Sequence, residues 1–239
     1  MDLQEIMDQV ASYLQRDDLT RCVRVSMGWR DVFLPHVWRK IKVSYSDQRC
    51  PCPEDHYPRR HLIHSLSLTG KRFELGTIIY PHLRSLEIFD LQVYKGPVVK
   101  VSMDLTKTCP SLTHLKLVQS DVTSTTWMAL SAHPHIKRLV LWTVRVKAID
   151  APWFWGACEK IEDLHMSGMS IQGTIPEDLV FDQLRELSMS HNYGVDEEVQ
   201  MDLMYRSTML ESLEWHLLDK HRPKTRRLGL PYYPEQPLA

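Results

Sequence analysis

Two groups of residues in this 239-residue chain carry side chains suited to chemistry. The first is Cys50-x-Cys52, followed by His56, His61 and His64. Thiolates and imidazoles are natural zinc ligands, but structural sites usually space the cysteine pair by two to four residues. One intervening residue makes chelation by both thiolates awkward, so this stretch reads as a plain loop with no metal. His133 and His135 flank Pro134, where a structural role fits best. The chain has no Gly-rich phosphate loop, Gly-x-Ser-x-Gly elbow or His-Glu-x-x-His, and its nine glycines are few for a nucleotide cradle. Arg222, Lys224, Arg226 and Arg227 read as a solvated basic tail. The expectation is a chain with no catalytic residues, metal or cofactor.

The second group suits recognition. It comprises Phe89, Val118, Val140 and Trp142, with His114, Lys116, Arg138 and His165 interleaved. A large aromatic among apolar neighbours is a typical anchor for a binding partner. Lys116 and Arg138 favour an acidic or phosphorylated segment beside it, while Asp163 and Glu186 make the later stretch acidic. These residues act together only if neighbouring strands bring them to one face.

A recurring phrase supplies those strands. It is apolar-x-x-Leu-x-apolar: Ile63/Leu66/Leu68, Leu83/Leu86/Ile88, Leu112/Leu115/Leu117, Ile136/Leu139/Leu141, Ile161/Leu164/Met166, Leu184/Leu187/Met189 and Leu210/Leu213/Trp215. Successive phrases start 20, 29, 24, 25, 23 and 26 residues apart. In each, residues alternate across a short strand, so the leucines turn inward and the intervening residues outward. A single strand cannot bury its leucines, whereas stacked neighbours build one continuous core. Counting from the first apolar residue, position eleven is Phe73, Val93, Val122, Val146 and Ile171 in the first five phrases, an independent apolar column. The last two phrases lose it, and Asn192 stands at position nine of the sixth. Between phrases, 124–133 and 196–206 read as helices on the return path.

The period and the column resemble leucine-rich repeats. The resemblance implies a curved α/β solenoid of the ribonuclease-inhibitor-like kind, over 61–218, with parallel strands on its concave face. There Phe89, Val118, Val140 and Trp142 form an apolar island. Two readings stay open: the island anchors a ligand, or a loop or the tail with Tyr232 and Tyr233 folds over it. Residues 44–60, with Pro51, Pro53 and Pro58, read as a linker, and 219–239 as a basic, proline-rich tail or truncated repeat.

With 29 basic and 30 acidic residues the formal charge is -1, so nothing draws the chain globally to nucleic acid or an anionic membrane. No apolar run is long enough to span a bilayer, and the acidic N-terminus is unlike a signal peptide. Five cysteines, an odd number, suggest reduced thiols and hence a cytoplasmic or nuclear setting.

Ahead of the linker, residues 1–43 read as three short helices. Ile6, Val10, Tyr13 and Leu14 recur at helical spacing and predict one apolar face. Asp17 or Asp18 is the expected cap of a second helix. A third segment with Trp29, Val32 and Phe33 is expected to stop at Pro35, with Val37, Trp38 and Ile41 closing the unit. Three such helices cannot bury all these side chains, and the surplus implies either a protein interface or a cap on a larger core.

Leu3-x-Glu5-Ile6, Tyr13-Leu14, Asp18-Leu19, Cys22, Val25-Ser26, Trp29-Arg30 and Trp38 resemble the F-box motif. That resemblance implies binding to a Skp-family adaptor, and through it a cullin–RING ubiquitin ligase, by Leu3, Ile6, Val10, Leu14, Leu19, Val23, Val25 and Trp29. Gln4 departs from the family's usual proline. The functional expectation is a non-catalytic substrate receptor of an SCF-type ligase whose repeats hold an unidentified protein. The alternative is a ligase-independent binding scaffold, for which Gln4 is the main argument. A GTPase-activating enzyme would need an arginine positioned for phosphoryl transfer, which the sequence does not single out.

Overall fold

The computed structural model describes residues 3–44, 57–70, 78–89, 99–192, 197–216 and 225–227. Helices α1 (Leu3–Tyr13), α2 (Arg16–Cys22) and α3 (Met27–Arg39) come first. Ala11, Leu19 and Phe33 form their small core, with Met7, Leu14, Cys22, Val23, Val32 and Val37 packed around it. Asp8 and His36, 2.9 Å apart, tie α1 to α3.

Three local expectations are corrected. The residues expected on one apolar face divide: Leu14, just past α1, packs inward with Met7 and Ala11, while Ile6, Val10 and Tyr13 are exposed. Both stripes have helical spacing, so periodicity alone could not choose between them. The residue capping α2 is Gln15, without a side-chain bond, and Asp17 and Asp18 lie in the first turn, where carboxylates favour the helix dipole. Helix α3 does not stop at Pro35 but continues to Arg39. An interior proline costs about 3 kcal/mol, and packing on both sides of the last turn offsets it: Val37 lies against the small core and Trp38 against the large one.

From Lys40 the chain enters a nine-stranded sheet. In chain order its strands are β1 (Lys40–Ser44), β2 (Ser65–Thr69), β3 (Ser85–Phe89), β5 (His114–Val118), β7 (Arg138–Trp142), β9 (Asp163–Ser167), β11 (Glu186–Ser190), β12 (Ser212–His216) and β13 (Thr225–Arg227). Spatial order follows chain order, and every pairing is parallel except the last. Register stacks Leu66, Leu86, Leu115, Leu139, Leu164, Leu187 and Leu213 into one inward column. The repeated phrase therefore falls on strands in register, with the predicted alternation.

Backbone hydrogen bonds lock both ends of these strands. Before β2, β3, β5, β7, β9 and β11, one carbonyl accepts two N–H groups from the next unit. Arg84 O accepts from Thr113 and His114, Thr113 O from Lys137 and Arg138, and Lys137 O from Glu162 and Asp163. After the strands, Gln119, Thr143, Gly168 and His191 adopt φ of 50, 54, 62 and 53°. That turn aims the N–H of Gln119, Thr143 and Gly168 at the last carbonyl of the neighbouring strand.

A second, four-stranded sheet lies beside the first: β4 (Val99–Val101), β6 (Ser120–Val122), β8 (Arg145–Val146) and β10 (Ser170–Ile171). It explains the eleventh-position column, because Val122, Val146 and Ile171 are among its buried residues. Phe73 and Val93 lie outside the described residues. The return paths carry helices Leu105–Thr108, Ser124–Ala132, Ala151–Cys158 and Glu197–Tyr205. Ala151–Cys158 was not expected; its Phe154 and Trp155 continue an aromatic run from Trp127 to Phe181, with ring centres 4.7–6.2 Å apart.

The expected boundary at Val43 also shifts. Ile41 and Val43 are buried in the large core, and β1 pairs with β2 along its whole length. The sheet thus begins where α3 ends, because the alternation of Lys40–Ser44 matches that of the later strands. Across the end of the expected linker, Tyr57–Leu62 forms a 3₁₀ turn. Residues 45–56 lie outside the described residues, as do 217–224 and 228–239. Thr225–Arg227, expected as tail or truncated repeat, instead pairs antiparallel with β12 at the sheet's end.

Candidate functional site

The sheet face opposite the buried leucines carries every residue of the expected recognition group. Cross-strand register sets them in rows. Phe89, Val118, Trp142 and Ser167 form one row, and Glu87, Lys116, Val140, His165 and Ser188 the next. Ser85, His114, Arg138, Asp163 and Glu186 form the third. Trp142 is 44% exposed. The face holds a depression of about 470 Å³ whose lining includes Glu87, His114, Lys116, Arg138, Val140, Trp142 and His165.

Side-chain contacts revise the role of the two cations. The Lys116 ammonium lies 4.4 Å from the centre of the Trp142 ring and 5.1 Å from that of Phe89. Arg138 is already matched, its Nε lying 3.0 Å from Oδ2 of Asp163. The other oxygen of Asp163 lies 2.7 Å from Nε2 of His165, a contact without hydrogen-bond alignment. Asp163, His165 and Glu186 bring donor atoms within 4.8 Å of one another, but Arg138 already supplies positive charge there.

A second candidate surface lies on the N-terminal helices. Ile6, Val10, Tyr13, Val25, Met27 and Trp29 are all exposed. Trp29 rests against Phe33, ring centres 5.3 Å apart, and its N–H donates to the Ser26 hydroxyl at the start of α3. Of the residues expected to meet a partner, Ile6, Val10, Val25 and Trp29 are accessible. Leu19, 6% exposed, is core, and Leu14 and Val23 pack against that core. The Leu3 side chain lies outside the described residues. Sequence reasoning left Tyr13 and Met27 out of the contact set, although the 6–10–13 spacing was a usable signal for Tyr13. Gln4 sits in the first turn of α1 and donates to Asp8.

Among the described residues, His133, His64, Cys109 and Cys158 are held by burial and local contacts. The His133 ring donates from Nε2 to the Cys109 carbonyl and accepts the His135 N–H at Nδ1, which defines a neutral tautomer. Burial holds its pKa below the usual imidazole value. His64 stacks on His82 at 6.2 Å, and burial, then Arg39 and Arg84, lower its pKa. Burial pushes the Cys109 thiol up to about 11 and raises that of Cys158 as well, so neither is a ready nucleophile. Cys50, Cys52 and His56 lie outside the described residues, as do Tyr232 and Tyr233, which were expected as one covering of the island. Among the described residues, no helix is long and apolar enough to cross a membrane.

Residues 4–44 match the F-box-like family model. That span takes in α1 from its second residue, α2, α3 and β1. No curated protein matches the chain.

Proposed function

We propose that this chain is the substrate receptor of an SCF-type cullin–RING ubiquitin ligase. Its F-box-like helices dock a Skp-family adaptor, and its stacked units form a leucine-rich-repeat solenoid that presents a protein substrate. The observation carrying this reading is the exposed apolar set on a domain that matches the F-box-like model. Ile6, Val10, Tyr13, Val25, Met27 and Trp29 exceed what the small core can absorb, and apolar surface of that kind marks an interaction site. In this reading the chain contributes no catalytic group. It raises the effective concentration of substrate beside a ubiquitin-loaded enzyme, in the cytoplasm or nucleus.

The test is co-purification of the full chain with a Skp-family adaptor. The Ile6→Glu/Val10→Glu pair alters only exposed positions, so it should abolish co-purification and leave the circular dichroism spectrum unchanged. Normal co-purification of the folded double variant would refute the docking surface. Failure of the unaltered chain to bind any Skp-family adaptor would favour a ligase-independent scaffold.

A further inference from the structure

We infer that the depression on the strand face selects a protein segment presenting a single anionic side chain, carboxylate or phosphoryl, to the Lys116 ammonium. The inference rests on the reading of this face as the protein-binding surface and names the chemistry of its ligand.

Phe89, Val118 and Trp142 lie opposite one another on β3, β5 and β7. Neighbouring strands are about 4.8 Å apart, so the two aromatic residues stand on strands about 10 Å apart. Lys116 precedes Val118 by two residues on the same face, and its ammonium reaches both rings. The rings hold the charge in place by attraction to their π-faces. They do not neutralise it.

The two cations of the depression then differ. Arg138 has a counter-ion in Asp163 at 3.0 Å, whereas among the described residues no carboxylate forms an ion pair with Lys116. An ammonium held against two rings, with no ion-pair partner among the described residues, focuses its field into this concave, partly apolar site. A carboxylate or phosphoryl oxygen meeting it gains a charge-assisted hydrogen bond. The exposed part of Trp142 supplies apolar contact for the flanking residues.

Surrounding charge limits the ligand to one anion. Glu87 lies beside Lys116 in register, and Asp163 and Glu186 stand in the adjoining row on β9 and β11. Glu87 and Glu186 repel a second negative group, so a polyanion such as nucleic acid is mismatched. A depression of about 470 Å³ suits one side chain and its adjoining backbone.

The experiment presents the full chain to an array of synthetic degenerate peptides. Each position in turn is fixed as Glu, Asp, Gln, Ser, phosphoserine or Lys. One position should show about a tenfold preference for an anion over Gln or Ser, the size of one charge-assisted contact. Comparing the Glu and phosphoserine arms identifies the source of the anion. Lys116→Gln should bring that preference to near parity, and Lys116→Glu should turn it toward Lys, with thermal midpoints confirming folding. Trp142→Ala should reduce retention of all peptides.

Retention that depends on Trp142 but lacks an anionic preference, or a preference unmoved by both Lys116 variants, overturns this inference and leaves the protein-binding face standing. Retention indifferent to Trp142 overturns the face and the inference together. Retention seen only after removal of residues 228–239, which include Glu235, makes the chain's own C-terminal residues the occupant and overturns a separate partner. No retention by any form overturns a linear segment as the ligand.

Discussion

Phe33 and Trp38 lie five residues apart on one helix, yet they pack into different cores. Phe33 is buried with Ala11 and Leu19, while Trp38 packs against the core of the large sheet. The Arg59 guanidinium covers the Trp38 ring at 5.0 Å, and the next carbonyl, of Arg39, accepts the His64 N–H. Helix α3 is therefore a shared strut between the F-box-like helices and the sheet.

That relationship predicts coupled unfolding. The unaltered chain should show one calorimetric transition whose van't Hoff and calorimetric enthalpies agree. Trp38→Ala should cost about 3 kcal/mol and split the transition in two. Two transitions in the unaltered protein would show that the strut does not couple the cores.

Alternation across the strands makes a sharper test. Leu115 and Leu139 are buried, and alanine at either should cost about 2–5 kcal/mol in urea unfolding. His114, next in sequence but on the opposite face, should tolerate alanine within roughly 0.5 kcal/mol. Arg138→Ala should cost more than His114→Ala, because it strips the half-buried Asp163 of its partner. Equal sensitivity at Leu115 and His114 would reject the assigned faces.

Gly168 should resist substitution. Its φ is +62°, and an added Cβ would stand 3.1 Å from Thr143 Oγ1. Gly168→Ala should lose about 1–2 kcal/mol from the backbone alone, read as a lower urea midpoint with an unchanged m value. A neutral result would mean that the turn after β9 relaxes freely.

Acid should weaken the fold partly through His133. Burial depresses its folded pKa below the ordinary 6.5, so between the two values the unfolded chain binds more protons. Its contribution is complete above about pH 6.5, falls as pH drops through that value, and levels off below the depressed folded pKa. His133→Gln should make the stability difference between about pH 7.5 and about pH 5.5 smaller than in the unaltered chain. An equal difference in both proteins would assign the acid sensitivity to other groups.

Trp142→Ala should remove partners from affinity enrichment of the full chain while adaptor co-purification persists. The side chain is 44% exposed, so the thermal midpoint should barely move. A large drop would make Trp142 a packing residue, and retention of every partner would place the binding surface elsewhere.

Much of this architecture was legible in the chain itself. Strand alternation is a period of two, so Leu115 and Leu117 had to share a face opposite His114 and Lys116. The column Val122, Val146 and Ile171 announced a second buried layer, though not that it would be a sheet. What only the tertiary structure decided were choices between equivalent patterns and contacts across long separations. Both stripes along α1 and the residue after it have helical spacing, and the positions of α2 and α3 select Met7–Ala11–Leu14 as the buried one. Pro35 signals a helix end locally, but two cores outweigh that local preference. The pairing of Arg138 with Asp163, and the placing of Lys116 over Phe89 and Trp142, depend on register between strands some twenty-five residues apart. Spacing along a chain determines which residues share a face; the packing of neighbouring elements determines which of them remain free to meet a partner.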